Sequence, residues 1–317
     1  MKIAKQQAPF TVQIETTEGC NLGCSFCGLK GMREKGTQPW YFMTVETALK
    51  IAKEIKRMNW NAKIVFGMHG EPTLNPKFLS IVRIFRKNLP NNLIHLITNS
   101  NGIVNNENGV EWYLKELKEA GVNNLILDNY SEKGDWKKVI EKVDSYENYG
   151  SGVPLFSSSK KFRVVLVPPI NLDESNHATR NLSNHAGAAF PLDKSYNNKR
   201  CTMPFRELAF RYDGNVSICC DDFRGEYPIS SIHELPIDEI WNHERFQAAR
   251  IMLYNYDRSF KPCDGCTNIS MRVGLLPDSS GKESLPKITD EVRKIATNVS
   301  KNNKPLSKII VKRKWEK

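Results

Sequence analysis

Eight cysteines are the residues of this sequence whose type and spacing point most directly to chemistry. They form an N-terminal and a C-terminal group: Cys20, Cys24 and Cys27, then Cys201, Cys219, Cys220, Cys263 and Cys266. Spacings such as Cys24-x-x-Cys27 are typical of metal or iron–sulfur ligation, because thiolates are soft ligands for zinc and iron. Scattered buried thiols do not produce such spacings.

The N-terminal segment bears on whether these thiols ligate metal or form disulfides. Residues 1–10 contain no apolar run, so we expect no secretory signal and a cytoplasmic protein. Thiols stay reduced in the cytoplasm, which favours ligation. The sequence also lacks a run of about 18 apolar residues, so no membrane-spanning helix is expected.

The first cysteine group is compatible with two kinds of metal site. A [4Fe–4S] cluster held by Cys20, Cys24 and Cys27 keeps one iron atom open to an outside ligand. A zinc ion would require a fourth protein ligand, for which His69 is the candidate.

Hydrophobic patterning predicts strands that alternate with helices through the first 170 residues. Strands are expected over 10–16, 63–68, 93–98, 124–128 and 162–167, with helices over 44–60, 78–85, 110–120 and 136–143. This alternation indicates an α/β fold with a parallel sheet and helices packed outside it. The carboxyl ends of such strands meet at one edge, where we expect Cys20 with His69, Glu71, Asn99 and Asp128.

The second cysteine group surrounds a predicted β-hairpin. Residues 207–212 and 216–219 flank the turn Asp213-Gly214-Asn215, and a helix is expected over 237–254. Four of the five thiolates are enough to close a zinc site or to hold a second iron–sulfur cluster: Cys201, Cys219, Cys263 and Cys266.

With Phe26 directly before Cys27, the first cysteine segment resembles the signature of the radical S-adenosylmethionine (SAM) superfamily. Gly70-Glu71-Pro72 resembles the Gly-Gly-Glu motif of that family, with His69 in place of the first glycine. The resemblance implies a partial (β/α)6 TIM-like barrel over about residues 10–170. It also implies a [4Fe–4S] cluster whose open iron is chelated by SAM, and an enzyme that cleaves SAM to a 5′-deoxyadenosyl radical.

The same resemblance assigns SAM-binding residues. The ammonium group of SAM requires acceptors, which the carbonyls near Gly70 and the carboxylate of Glu71 provide. The remaining candidates are two hydrophobic residues, for the nucleotide, and three polar residues, for the ribose: Phe26 and Met68, then Thr98, Asn99 and Asp128.

The hairpin, its Gly214-x4-Cys219 spacing and Ile240-Trp241-Asn242 resemble the SPASM/twitch extension of some radical SAM enzymes. This favours one auxiliary [4Fe–4S] cluster, in a small C-terminal α+β extension, over zinc. The spacing assigns Cys219 as the ligand. Cys220 is then an alternative ligand or a hydrogen-atom donor to the substrate radical, and Asp221 and Asp222 are candidate bases.

We expect four segments. They are a barrel over 1–170, a linker or active-site loop over 171–200, an auxiliary cluster domain over 201–275, and a basic helix and tail over 276–317. His177 and His185 in the loop are candidates to line a substrate cavity. The net charge of +11 is concentrated in the tail.

The expected substrate is a peptide, a protein or a sugar-derived small molecule, and the expected electron donor is a flavodoxin or ferredoxin. Nucleic acid and membrane partners are not expected. The alternative function is a non-catalytic, cysteine-rich metal module that binds RNA through the basic tail. Gly70-Glu71-Pro72 argues against it, because such a module needs no partner for the SAM ammonium group.

Overall fold

The computed structural model describes residues 7–29, 40–130, 134–149, 160–167, 183–269 and 287–298. The strands are β1 (Thr11–Ile14), β2 (Thr17–Glu18), β3 (Tyr41–Phe42), β4 (Lys63–Phe66), β5 (Ile94–Thr98), β6 (Asn124–Leu127), β7 (Glu147–Asn148), β8 (Arg163–Leu166), β9 (Glu207–Phe210), β10 (Asn215–Ser217) and β11 (Pro228–Ser231). The α-helices are α1 (Val45–Arg57), α2 (Phe78–Asn88), α3 (Asn101–Val104), α4 (Val110–Ala120), α5 (Trp136–Ile140), α6 (Met203–Arg206), α7 (Ile237–Trp241), α8 (Glu244–Tyr254) and α9 (Asp290–Thr297).

One mixed sheet of nine strands organises the described residues, in the order β11-β10-β9-β1-β4-β5-β6-β8-β7. The strands from β9 to β7 in this order are parallel, and the hairpin strands β10 and β11 are antiparallel. The predicted α/β class with a parallel sheet is confirmed, and the sheet is consistent with a partial barrel.

Alternation along the strands separates an apolar face from a polar one. In β1, Val12 and Ile14 are fully buried in the main hydrophobic core, which includes residues of α1 and α2. Gln13 and the following Glu15 point to the opposite face, because successive side chains of a strand alternate. The face away from the helices is therefore the one that can line a ligand site.

Capping residues fix where several of the helices begin and end. The Thr44 hydroxyl accepts a hydrogen bond from the Thr47 amide at 3.2 Å and caps α1. Gly121 ends α4 with φ of +97°, a conformation that glycine adopts without steric cost. The helix expected over 237–254 is divided into α7 and α8, because His243 caps the start of a new helix by accepting from the Arg245 amide.

The C-terminal region joins the sheet of the N-terminal region directly. Strand β9 pairs in parallel with β1, with Thr11 opposite Glu207 and Ile14 opposite Phe210. The sheet therefore runs through the predicted boundary at residue 201. The four-segment division stays a prediction, and His177 and the 299–317 tail lie outside the described residues.

Among the helices of the described ranges, none combines the length and the apolar character that a bilayer crossing requires.

Phe66 provides a test of the core between the sheet and α2. Its ring lies edge-on to Phe78 at 5.5 Å and to Phe85 at 5.4 Å. We expect Phe66→Ala to lower the free energy of unfolding by about 3–5 kcal/mol, because it leaves a cavity in a closed core. Urea denaturation measures this loss. In the same experiment, Trp112→Ala on the exposed face of α4 should lower the free energy of unfolding by less than about 1 kcal/mol. Equal losses would contradict this packing.

Candidate functional site

The N-terminal cysteine segment follows β2, and the protein alone keeps the Cys20 thiol neutral. Burial, with a contribution from the nearby Glu71 charge, raises the pKa of Cys20 well above its usual range. The Cys24 and Cys27 thiols are also close enough to raise the pKa of Cys20. A thiol of this kind becomes a thiolate when a metal centre takes the place of its proton.

Gly70 lies where the end of β4 meets the start of this loop. A Cβ atom at Gly70 would be 2.0 Å from the Thr17 carbonyl oxygen and 2.5 Å from that of Gly19. The Glu71 amide also donates a hydrogen bond to the Gly19 carbonyl at 2.9 Å. Only glycine permits this close approach of two backbones, which brings the cysteine loop onto the sheet edge.

Glu71 joins the strand ends rather than standing free. One carboxylate oxygen accepts from the Thr73 amide, the Thr73 hydroxyl and the Thr98 hydroxyl at 2.6–3.0 Å. The other accepts from the Asn99 amide at 2.8 Å. These bonds occupy most of the acceptor capacity of the carboxylate. The role of Glu71 as an acceptor for SAM stays a prediction, and its structural role is the more prominent one.

Asn99 is directed at the cysteine loop. Its side-chain amide donates to the Cys20 sulfur at 3.4 Å and to Asn21 Oδ1 at 3.0 Å, and its oxygen accepts from the Asn101 amide. Its remaining capacity for a ribose is therefore as an acceptor. The predicted ribose contacts of Thr98 and Asn99 stay predictions.

Asp128 and Phe26 are connected through Tyr130. The Phe26 ring contacts the Tyr130 ring edge-on at 5.0 Å, and Tyr130 hydrogen-bonds the Asp128 carboxyl. Burial, with a smaller contribution from Glu71, raises the pKa of Asp128 to about 8. Met68 is half-buried, and its predicted contact with the nucleotide stays a prediction.

His69 bridges the two halves of the molecule. Its Nδ1 hydrogen-bonds Glu15 Oε1 at 2.8 Å, and its Nε2 hydrogen-bonds the Cys220 carbonyl at 2.7 Å. Both ring nitrogens therefore have hydrogen-bond partners within the protein. The suggestion that His69 is a zinc ligand has no support in this geometry, because both nitrogens already have partners within the protein.

The thiols of the second cysteine group are buried or half-buried, and several of them lie close enough to affect one another electrostatically. Burial raises the pKa of Cys201 to about 11 and that of Cys263 well above its usual range. The Cys266 and Cys201 charges contribute to the rise at Cys263, and the Cys263 charge contributes to the rise at Cys219. The assignment of Cys201, Cys219, Cys263 and Cys266 as the ligands of one auxiliary cluster stays a prediction.

Arg258 holds this group together although its side chain binds no sulfur. The guanidinium donates to the carbonyls of Cys266, Asn268, Lys199 and Arg200 at 2.6–3.3 Å. These bonds connect the Cys263–Cys266 turn to the segment that enters Cys201.

Cys220 differs in its surroundings from Cys219. Its amide donates to Glu207 at 2.8 Å, and its thiol also hydrogen-bonds Glu207. Burial raises the pKa of Glu207 to about 7. Sequence reasoning missed Glu207, because it lies 13 residues away on β9 and has no motif around it.

The two aspartates after Cys220 have different partners. Asp222 accepts from the Glu226 and Tyr227 amides at 2.8 and 3.0 Å, so it holds its own loop. Asp221 accepts from the Ser183 hydroxyl at 3.1 Å and from the Asn268 amide group. Of the two predicted bases, Asp221 contacts the other loops of the site, and both assignments stay predictions.

Phe223 is a second link between the cysteine regions. Its ring packs against His69 at 4.4 Å and against His185 at 4.7 Å. A Cβ atom on Gly28 would be 2.7 Å from the same ring. Phe223 thus fills the space between the loop after Cys27 and the loop after Cys219, a role with no sequence signature.

The donor set fits iron–sulfur clusters better than single metal ions. Within the described ranges, no three His, Cys, Asp or Glu side chains converge closely enough to hold one ion. A cluster places each thiolate on a different iron atom and accepts wider spacing, whereas zinc requires all four ligands around one centre.

Comparison with known proteins agrees with this geometry. The family model of the radical SAM superfamily matches residues 14–179, and that of SPASM, an iron–sulfur cluster-binding domain, matches residues 201–267.

Similar proteins include enzymes that differ in how much of the chain they cover. An S-adenosyl-L-methionine-dependent 2-deoxy-scyllo-inosamine dehydrogenase of Niallia circulans is 22% identical over 83% of this chain and 94% of its own length. A probable GTP 3′,8-cyclase of Saccharolobus solfataricus is 28% identical over 45% of this chain and 42% of its own. The crystal structure of BtrN in complex with AdoMet and 2-DOIA has the same fold, with a TM-score of 0.64 and 19% identity over 84% of this chain and 95% of that one.

The close backbone contact at Gly70 predicts that one added methyl group has a large effect on SAM binding. Gly70→Ala should weaken SAM binding at least tenfold, since the added Cβ clashes with the Thr17 carbonyl and must displace the cysteine loop. Equilibrium dialysis of anaerobically reconstituted protein measures this. Gly109→Ala is the control, because its Cβ would meet no atom within 4 Å. Unchanged SAM affinity in Gly70→Ala would contradict the packing.

Asp128 predicts a pH dependence of stability. Its raised pKa means that the folded state retains a proton that the unfolded state releases, so Asp128 destabilises the fold as pH rises from about 4 to about 8. Asp128→Asn should therefore raise the free energy of unfolding at pH 9 by about 1 kcal/mol or more and change it little at pH 4. Urea denaturation of cluster-free protein across this range is the measurement. The exposed Asp144→Asn serves as control, and an equal gain at both pH values would refute the effect.

Proposed function

Because this chain belongs to the radical SAM superfamily, we propose that it is a dehydrogenase that oxidises a secondary alcohol of a small, sugar-derived substrate. It is an enzyme whose cofactors are SAM and [4Fe–4S] clusters, so the preference for iron–sulfur over zinc is confirmed. The alternative of a non-catalytic RNA-binding module is left without support.

The observation that carries the proposal is the contact between the two cysteine regions. Phe223 on the auxiliary loop packs near Gly28 on the SAM-cluster loop, and His69 binds the Cys220 carbonyl. A substrate in contact with one region is therefore close to the other. The 2-deoxy-scyllo-inosamine dehydrogenase is similar to this chain over both regions, which supports an alcohol as the substrate.

The residues that would hold the cofactors follow from the site. Cys20, Cys24 and Cys27 would hold the SAM-binding cluster, and Cys201, Cys219, Cys263 and Cys266 would hold one auxiliary cluster. When bound, these cofactors supply a 5′-deoxyadenosyl radical that removes a hydrogen atom from the substrate, and an acceptor for the second electron.

The chain itself must accept a proton from the substrate. Oxidation of an alcohol to a ketone removes one hydrogen atom, one electron and one proton from the substrate. Asp221 is the proposed acceptor of the proton, because its carboxylate faces Ser183 and Asn268 on two other loops rather than its own backbone. A flavodoxin or ferredoxin is the proposed electron donor.

The test is anaerobic reconstitution followed by product analysis. We expect about eight iron atoms per chain, as two [4Fe–4S] clusters require. Reduced protein should convert SAM to 5′-deoxyadenosine in the presence of aminocyclitols or other polyols, including 2-deoxy-scyllo-inosamine. Mass spectrometry should show loss of two hydrogen atoms from the substrate and transfer of deuterium from a labelled carbinol carbon into deoxyadenosine.

Two cysteine variants sharpen the result. Cys24→Ala should abolish SAM cleavage and remove about four iron atoms. Cys220→Ala should keep the full iron content if Cys219 is the ligand. Turnover of peptides but of no polyol would overturn the proposed substrate class, and SAM cleavage by Cys24→Ala would overturn the cluster assignment.

A further inference from the structure

His185 lies where three functional segments meet. Its Nδ1 accepts a hydrogen bond from the Gly28 amide at 3.1 Å, next to Cys27. Its ring stacks on Phe223 at 4.7 Å with an interplanar angle of 21°. The side chain is thus held by the loops of both cysteine regions.

The backbone at this position is strained. His185 has φ of +46° and Ala186 has φ of +52°, a left-handed conformation that is unfavourable for residues other than glycine. Consecutive residues of this kind persist only where the surroundings impose them, and they concentrate at functional sites.

Asn184 imposes this conformation through the auxiliary turn. Its side-chain amide donates to the carbonyls of Gly265 and Pro191 at 2.8 and 3.0 Å, and its oxygen accepts from the Thr267 amide. The loop that presents His185 is therefore attached to the Cys263–Cys266 turn, and the imidazole is held in place before any ligand binds.

The hydrogen bond from Gly28 also determines which nitrogen carries the proton. Since a backbone amide only donates, Nδ1 of His185 accepts, and the neutral ring carries its proton on Nε2. In the parts of the chain that the structure describes, no group forms a hydrogen bond with Nε2 of His185. This nitrogen is also not fully buried, so a ligand can reach it. It is a donor open to a ligand.

We propose that His185 is a substrate-binding residue whose Nε2–H donates a hydrogen bond to a hydroxyl oxygen of a neutral or cationic polyol, an inference that rests on the proposed function. The Asp221 carboxylate lies near enough for its charge to act on the His185 ring. A donor beside an acceptor matches a hydroxyl group, which both accepts and donates, and the negative charge disfavours an anionic substrate. The occupied Nδ1 means that His185 positions the substrate and does not serve as the base.

The experiment compares two variants of His185 on a polyol that the wild-type enzyme oxidises. His185→Phe keeps the aromatic stack on Phe223 and removes both nitrogens, whereas His185→Gln retains a donor. We expect His185→Phe to raise KM for the polyol about tenfold, the loss of roughly one hydrogen bond, with a smaller change in kcat. His185→Gln should recover part of the affinity.

Two further readouts separate binding from structure. Iron content and the slow SAM cleavage in the absence of substrate should stay at wild-type levels in both variants. His233→Phe is the matched control, because His233 is exposed and contacts the Thr47 hydroxyl on α1. It should change neither KM nor iron content.

The outcomes are distinguishable. An unchanged KM in His185→Phe, with a wild-type enzyme active on the polyol, overturns the inference alone. Loss of iron in both His185 variants overturns it in favour of a purely structural role. A wild-type enzyme that oxidises no polyol refutes the proposed function, and the inference falls with it.

Discussion

A buried charge network is the constraint on which the rest of the site depends. Glu15 at the end of β1 is paired with His69 at 2.8 Å and with Arg211 at 3.7 Å, and Arg211 also binds Glu18 at 3.0 Å. All four side chains are almost completely shielded from water, where an unpaired charge would be strongly destabilising. Burial alone would raise the pKa of Glu15, but Arg211 and His69 outweigh it and hold that pKa below its usual value. The ends of β1, β4 and β9 must therefore stay in register for these charges to remain paired.

The two cysteine regions depend on this network through backbone contacts. His69 fixes the Cys220 carbonyl, and Arg211 donates to the Asp222 and Phe223 carbonyls at 3.1 and 3.2 Å, so the loop after Cys219 is attached to the strand ends. Glu71 does the same on the other side, where its hydrogen bonds join β4 to β5. The replacement of the first glycine of the Gly-Gly-Glu motif by His69 thus has a physical reason in this chain.

Sequence reasoning reached the features that depend on local pattern. The alternation of strands and helices and the hairpin at Gly214 are set within short segments, and the structure agrees with them. Features set by distant partners escaped it. Nothing near Phe223 signals that its ring separates His69 from His185, and nothing near Glu71 signals that Thr98 and Asn99 occupy its oxygens. Such contacts arise only when segments far apart in sequence are brought together.

The parallel pairing of β9 with β1 has a consequence for how the chain reaches its native state. Strand β1 has neighbours on both sides, β4 from early in the chain and β9 from near its C-terminal third. Until β9 has been synthesised and docked, one side of β1 presents unpaired amides and carbonyls, an open edge of the kind that recruits foreign strands. This loop closure spans nearly two hundred residues and is therefore a slow event. During biosynthesis, protection against aggregation is needed most in the interval between emergence of the first strand and arrival of the last parallel one.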